Sequence, residues 1–279
     1  MVQIIEFYGA PGSGKTTLSE FTASHLSKNY RDTRLFDEAQ YIGLENWSKF
    51  SMDERRNSEN FTDLFLKYFP IDIRIKFHKF FKSMTEMRKY REEMTARFSI
   101  ENSEMVKCVI DDIKESYESP LDAALLNWFM SDFYRYGCIE NSIDDHTVVL
   151  EDGMLKRIAT LYSLLSEQRS PDDYEENMKE LVDMISSHID MAFFIHTEAN
   201  TAYERQKDRG FFCPEHKLTG EPTKTTVLRE LERYNENFKL ISASLENKDV
   251  PIFKIDNDKS LSSAKKQIKN VCDDRFEKH

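Results

Sequence analysis

The chain has 279 residues, of which 39% are hydrophobic and 32% charged, and its formal net charge is -11. This length and hydrophobic fraction suit one large folded domain or two small ones and exclude a disordered chain. The negative net charge argues against general electrostatic binding to a nucleic acid polymer or to an anionic membrane.

The cysteines and the first residues show no sign of secretion or membrane insertion. The four cysteines are widely spaced and form no CxxC pair, which argues against a disulfide framework. The apolar run at residues 2–8 is short, is interrupted by Glu6 and has no basic leader, so it predicts neither a signal peptide nor a membrane span. We therefore expect a soluble, cytoplasmic protein.

The first motif lies between a predicted strand and a predicted helix. Residues 2–8 are rich in β-formers, and apolar residues recur at helical spacing over residues 17–30. Between them stands GAPGSGKT, a full match to the phosphate-binding P-loop GxxxxGK[ST]. The residues predicted to bind a nucleotide are Gly9, Ala10, Pro11, Gly12, Ser13, Gly14, Lys15, Thr16 and Thr17.

The residue types of this loop match the chemistry of a nucleoside triphosphate. Glycines let successive backbone N–H groups point at phosphate oxygens, and the positive end of the following helix adds to the attraction. Lys15 is placed to reach the β- and γ-phosphates, and the Thr16 hydroxyl is a ligand for Mg²⁺. We therefore expect the chain to bind ATP and Mg²⁺.

Four further strand patterns follow, and each ends in acidic or small polar residues. They cover residues 33–36, 146–150, 191–196 and 250–255 and alternate with helical patterns. This alternation predicts an α/β fold with a five-stranded, parallel, doubly wound sheet flanked by helices. Ligands of such sheets bind beyond the carboxyl ends of the strands.

The acidic residues that follow the second and third strands are candidates for the site. Asp37 and Glu38 follow the second strand, where a solvated turn is an equally good interpretation. Glu151 and Asp152 follow the third strand, at the place where P-loop proteins keep the acid that supports Mg²⁺. Asp152 is the first choice for a metal residue, because Gly153 leaves open space beside it, and Glu151 is the second.

Residues 41–145 interrupt the alternation of strands and helices. The stretch is rich in aromatic residues, includes both tryptophans and is predicted to be mainly helical, although Met105–Ile110 suits a strand as well as a buried helix. We predict a helical insertion, 41–145, that caps the carboxyl edge of a core formed by 1–40 and 146–279. The basic residues over 71–97 would suit an anionic substrate, but a solvated helix face with ion pairs is the simpler interpretation.

The segment after the fourth strand carries two arginines on one helical face. Arg205 and Arg209 stand four residues apart, and Gly210 is typical of the residue that ends a helix. Paired guanidinium groups suit a transferring phosphoryl group, whose charge must be neutralised in a fixed geometry. The alternative is surface ion pairing with Glu204 or Asp208.

Three features together resemble the P-loop nucleoside and nucleotide kinases, which include the thymidylate kinase-like and deoxynucleoside kinase-like families. They are the P-loop after the first strand, the acid pair after the third, and the RxxxRG segment that begins at Arg205. The resemblance covers 1–40 and 146–279 but not the insertion. It implies a P-loop NTPase fold and transfer of the γ-phosphate of ATP to a small-molecule acceptor such as a nucleoside or nucleotide.

The resemblance also implies roles for the residues at the phosphates and at the acceptor. Lys15 would contact the transferred phosphate and Thr16 the Mg²⁺ ion. Asp37 or Glu38 would accept the proton of an acceptor hydroxyl. The resemblance does not decide between these two carboxylates.

Further roles concern the second half of the chain. Arg205 and Arg209 would belong to a lid helix, residues 210–224 to a lid loop, and residues 256–260 to a loop against the adenine ring. One departure concerns the end of the third strand, where those families often have an Asp-Arg or Glu-Arg pair and this chain has Glu151-Asp152-Gly153. Arg157 is a candidate replacement that would approach from another angle.

Two other classes of function remain open. An NTP-driven switch or ATPase with a protein partner is one, but NKDV at 247–250 does not match the guanine-reading NKxD, and neither DxxG nor LSGGQ occurs. A nucleotide-binding protein without catalysis is the other. The segment Cys213–His216 supplies only half of a zinc site, so zinc is not expected.

Overall fold

A central parallel sheet organises the computed structural model, which describes residues 3–37, 39–40, 87–115, 120–142, 146–165, 171–208 and 223–277. Its strands are β1 (Gln3–Tyr8), β2 (Thr33–Leu35), β3 (Thr147–Leu150), β4 (Met191–His196) and β5 (Ile252–Asp256). The five strands and the parallel α/β architecture predicted from the sequence are confirmed.

The strand order is β2-β3-β1-β4-β5, which makes the first strand the central one. β1 pairs with β3 through Gln3 opposite Thr147, and with β4 through Ile5 opposite Met191. β2 and β3 therefore lie on one side of β1, and β4 and β5 lie on the other. Such a switch opens a crevice at the carboxyl end of β1, where the P-loop begins.

Helices cover both faces of the sheet. The described helices are α1 (Lys15–Asn29), α2 (residues 87–101), α3 (Ser103–Glu115), α4 (Pro120–Ser142), α5 (Met154–Leu165), α6 (Pro171–Ser186), α7 (Ala199–Asp208), α8 (Lys224–Glu246) and α9 (Leu261–Phe276). Met105–Ile110 lies within α3 and is thus helical. Residues 41–86 of the predicted insertion lie outside the described residues, and the described parts of 87–142 form α2, α3 and α4 with a turn at residue 102. In the part of the chain that the structure describes, none of the helices combines the length and the apolar character that crossing a membrane requires.

Two hydrophobic clusters form because successive side chains of a strand point to opposite faces of a sheet. Phe7 points to the face covered by α1 and α9 and packs in a cluster with Leu18 and Ile268. Tyr8 points to the opposite face and belongs to a larger cluster that includes Phe133 and Tyr136 of α4. The described part of the insertion therefore shares its core with the sheet.

A close helix crossing fixes the position of α4. At Gly137 a Cβ atom would lie 2.2 Å from the carbonyl oxygen of Met94 on α2, so that only glycine permits this approach. Phe98 of α2 stacks on Phe133 of α4 with ring centroids 5.6 Å apart. This packing holds the charged residues of α4 against the carboxyl end of β3.

Candidate active site

The P-loop leads from β1 into α1 at the central crevice. Gly14 is the N-cap of α1 with φ 90°, a left-handed conformation that strains residues with side chains. Gly12 packs against α7, where a Cβ atom would lie 2.6 Å from the carbonyl oxygen of Ala202. No side chain caps the first turn of α1, so its N–H groups are available to an anion.

The Lys15 side chain folds back over the loop. Its Nζ donates to the carbonyl oxygens of Gly9 at 2.9 Å and Ala10 at 3.2 Å, and it lies 3.6 Å from Asp152 Oδ1. Burial lowers the pKa of the Lys15 ammonium to about 8, although the charge of Asp152 opposes this. A poorly solvated cation of this kind favours an anionic ligand.

The two carboxylates after β3 face the P-loop. The Thr16 hydroxyl donates to Glu151 Oε1, and Asp152 Oδ1 is buried with no hydrogen-bond partner among the described residues. Burial alone would raise the pKa of Asp152, but the charges of Lys15 and Lys156 hold it at about 2, so the group is ionised at neutral pH. A hydroxyl and two carboxylates are the oxygen ligands that Mg²⁺ prefers, and Asp152 Oδ1, which accepts no hydrogen bond from the described residues, fits a cation.

A second charged cluster beside Asp152 includes two residues that the sequence analysis missed, Asp132 and Arg135. The fully buried Asp132 of α4 accepts from Arg135 Nη1 at 3.2 Å and from Arg157 Nε at 3.0 Å. Burial raises the pKa of Asp132 to about 6, and the two arginines oppose this rise. Arg135 also donates to the backbone carbonyl of Asp152, which ties α4 to the end of β3.

A cavity of about 190 Å³ lies between this cluster and the ends of β2 and β3. Asp37, on a short helical turn after β2, lies at the cavity, whereas Glu38 lies outside the described residues. Arg157 also lines this cavity, as expected for a side chain that points back towards the end of β3. The lining residues are Leu35, Phe36, Asp37, Arg135, Val149, Leu150, Glu151, Asp152 and Arg157.

Arg205 joins the P-loop to the loop after β5. Its Nη2 donates to the carbonyl oxygen of Asn257 at 2.7 Å, and its Nη1 lies 3.5 Å from that of Gly12. Glu204 forms ion pairs with Lys207 and Lys224, so the alternative pairing of Arg205 with Glu204 is not observed. Arg209 and the predicted lid loop, up to residue 222, lie outside the described residues.

The loop predicted to meet adenine is held by its own hydrogen bonds. Asp258 Oδ1 accepts from the backbone N–H of Glu198 at 2.7 Å, and Asp256 Oδ1 accepts from that of Asp258 at 3.0 Å. Asn257 Nδ2 donates to the carbonyl oxygen of Ser13 at 2.7 Å. The loop therefore lies directly beside the P-loop.

A carboxyl group is buried behind the site. Glu6 of β1 accepts from the backbone N–H of Leu155 at 2.8 Å and from the Tyr136 hydroxyl. Burial raises the pKa of Glu6 to about 8, so that this carboxyl group is protonated in most molecules at neutral pH.

Gly153 packs directly on Glu6. A Cβ atom at residue 153 would lie 2.6 Å from Glu6 Cδ. The space beside this glycine is therefore filled by the protein and not kept open for a ligand as the sequence suggested. The same contact explains why an arginine does not follow Asp152.

Comparisons with known proteins give similarity at the level of structure only. No protein-family model and no curated protein matches the sequence. Solved structures of deoxyadenosine kinase from M. mycoides are similar to the chain over nearly the whole length of both. With dATP bound the identity is 14% and the TM-score 0.47, covering 97% of this chain and 100% of the other.

Two further complexes of that kinase are similar to the same degree. With dCTP the identity is 13% and the TM-score 0.43, covering 98% of this chain and 100% of the other. With the products dCMP and dCDP the identity is 15% and the TM-score 0.39, and the match covers 98% of each chain. At this identity the similarity concerns the fold alone.

Proposed function

We propose that the chain is an ATP-dependent kinase that transfers the γ-phosphate to a small-molecule acceptor of the nucleoside or nucleotide type. One observation carries the proposal. The P-loop lysine, the carboxylates after β3 and a cavity bordered by Asp37 all meet at the carboxyl edge of the sheet. A phosphate donor on the P-loop would therefore adjoin an acceptor in the cavity.

The P-loop residues would bind the donor. The N–H groups of the loop and of the first turn of α1 would hold the phosphates of ATP. Lys15 would exchange the carbonyls of Gly9 and Ala10 for phosphate oxygens. Thr16, Glu151 and Asp152 would hold Mg²⁺, which when bound neutralises charge on the β- and γ-phosphates.

The residues around the cavity would orient the acceptor and exclude water. Asp37 would take the proton of an acceptor hydroxyl, and Glu38 remains the other candidate for this role. Arg205, with Arg209, would stabilise the charge of the transferring phosphoryl group, and the lid would shield it from water. In an ATPase water would occupy the place of the acceptor.

Transfer of radiolabelled γ-phosphate from ATP tests the proposal. The acceptor panel contains nucleosides, nucleoside monophosphates, sugars and alcohol-bearing metabolites. Because Lys15 would meet the transferred phosphate, Lys15→Ala is expected to abolish transfer with the fold intact by circular dichroism. Lys28→Ala, on the exposed side of the same helix, serves as the matched control and is expected to retain activity.

The three ways in which this experiment could fail are distinct. Full activity of Lys15→Ala would refute the assignment of the P-loop. Label released only as free phosphate would favour an ATPase that acts with a protein partner. Binding of ATP without either activity would favour a nucleotide-binding protein without catalysis.

A further inference from the structure

Each backbone carbonyl oxygen of the P-loop from Gly9 to Gly14 faces a donor group. The first two oxygens of the loop accept from the Lys15 ammonium, and the last accepts from the N–H of Leu18 within α1. The three oxygens between them face side chains from distant segments. These are Gln206 Nε2 at 3.1 Å from the oxygen of Pro11, Arg205 Nη1 at 3.5 Å from that of Gly12, and Asn257 Nδ2 at 2.7 Å from that of Ser13.

The two amide side chains fix the orientation of two peptide units of the loop. The peptide bonds of the loop are trans, and in a trans peptide the N–H points opposite to the C=O. A donor on the oxygen of Pro11 therefore turns the N–H of Gly12 to the opposite side of the loop. In the same way, a donor on the oxygen of Ser13 turns the N–H of Gly14 to the opposite side.

These two glycine N–H groups are available to a ligand. Neither the N–H of Gly12 nor that of Gly14 donates to an acceptor in the described part of the chain. The N–H between them differs, because that of Ser13 donates to the carbonyl oxygen of Ala10 at 3.1 Å. Unpaired N–H groups in a loop that leads into a helix favour the oxygens of phosphate.

Both amide side chains are buried against the glycines of the motif. Gln206 is 3% exposed and Asn257 is 2% exposed. A Cβ atom at residue 12 would lie 3.2 Å from Gln206 Cγ, and one at residue 14 would lie 2.7 Å from Asn257 Nδ2. Because the amides carry no charge, they are expected to keep their carbonyl oxygens when a phosphate binds, whereas Lys15 would leave its own.

We propose that Gln206 and Asn257 are positioning residues that hold the N–H groups of Gly12 and Gly14 ready for the phosphates of the nucleotide. The inference rests on the proposed function for the identity of the ligand, a nucleoside triphosphate. Neither side chain would touch the phosphates. Without its amide, a peptide unit has to be oriented at the moment of binding, which lowers the affinity. The role of Asn257 would thus concern the phosphates and not the adenine ring.

Calorimetric binding of inorganic tripolyphosphate and of ATP, each with Mg²⁺, to the full-length chain tests this inference. Gln206→Met and Asn257→Leu nearly keep the size of the side chain and remove its donor. Each is expected to raise the two Kd values by the same factor, about 10-fold, because each weakens a hydrogen bond from an N–H to a charged oxygen. If Asn257→Leu raised the Kd of ATP alone, Asn257 would act on adenine and the inference would be wrong for this residue.

The N–H resonances of the glycines show where each amide acts. The chain has eight glycines, so labelling with ¹⁵N-glycine gives few enough signals to assign by substitution. Tripolyphosphate is expected to shift the signals of Gly12 and Gly14 in the wild type. Gln206→Met is expected to reduce the shift of Gly12, and Asn257→Leu that of Gly14. General destabilisation would not produce this selectivity.

Asn237→Leu is the matched control. Asn237 of α8 is also 2% exposed, and its Nδ2 donates to the carbonyl oxygen of Ala159 on α5 at 3.1 Å. This variant is expected to lower the free energy of unfolding and to leave both Kd values unchanged. An equal rise of the Kd values in the control would overturn the inference. If thermal melting shows that Gln206→Met or Asn257→Leu fails to fold, the shorter Gln206→Ala or Asn257→Ala takes its place.

The outcomes separate this inference from the proposed function. An unchanged Kd of tripolyphosphate in both amide variants would overturn the inference and leave a kinase, provided that the wild-type chain transfers phosphate. The expected changes in Kd without transfer to any acceptor would support the inference and overturn the proposed function. If the wild-type chain bound neither tripolyphosphate nor ATP, both would be overturned.

Discussion

Glu6→Gln is expected to change the pH dependence of stability, because it removes a buried ionisable group while keeping its contacts. In the variant, the side-chain carbonyl of the glutamine accepts from the Leu155 N–H, as Glu6 does now. Its NH₂ group donates to the Tyr136 hydroxyl oxygen, which reverses the direction of the hydrogen bond that Tyr136 donates in the wild type. The two side chains have nearly the same shape, so the packing against Gly153 is retained.

The size and sign of the effect follow from the pKa of Glu6, which burial raises from 4.5 to about 8. Between these values the folded chain binds a proton that the unfolded chain has lost. The free energy of unfolding therefore falls as the pH rises through this window, by ~1.4 kcal/mol per pH unit. From pH 5 to pH 7 the wild-type chain is expected to lose ~3 kcal/mol relative to Glu6→Gln.

Urea denaturation of both proteins between pH 5 and pH 8 measures this difference. Glu92→Gln, which removes an exposed carboxylate paired with Arg88 on α2, is the control, and its difference from wild type is expected to stay constant with pH. Parallel stability curves for wild type and Glu6→Gln would refute the reasoning, because they would mean that Glu6 ionises as easily when folded as when unfolded.

Two other predictions concern Arg205, beside the P-loop, and Gly153, which packs on Glu6. Arg205→Ala is expected to lower kcat by ~10-fold or more and to affect ATP binding less, with Lys207→Ala on the same helix as control. If only the Kd of ATP changed, the role of Arg205 would be limited to holding the P-loop and the loop after β5 together. Gly153→Ala is expected to lower the free energy of unfolding by ~1–3 kcal/mol, because the new methyl group would clash with Glu6. Urea denaturation measures this change, and an unchanged free energy of unfolding would contradict the contact.

Features that depend on local pattern were predictable from the sequence. Each strand is a short β-rich run that ends in polar residues, and the P-loop is a contiguous motif between a strand and a helix. The apolar run Met105–Ile110 could not be assigned, because a short run of this kind suits both a strand and a buried helix. Its position within α3 is decided by packing.

The acceptor side of the site depends on contacts between distant segments. Asp132 and Arg135 are three residues apart in a helix that also carries Phe129 and Phe133, and a charged pair among such residues was the available signal. Their meeting with Arg157 depends on how α4 packs on α5, which no local pattern shows. The same holds for Gly153, whose role follows from its contact with Glu6, far away in the sequence near the start of the chain.

The central position of β1 has a consequence for synthesis of the chain. Both strands that flank β1 are made much later, since β3 begins at Thr147 and β4 at Met191. At typical translation rates, roughly 7–30 s pass between synthesis of β1 and completion of β3. For that time the apolar strand that leads into the P-loop has neither partner, so the nascent chain depends on protection from aggregation. A product truncated before β3 would contain the phosphate-binding sequence but would not form a phosphate-binding site.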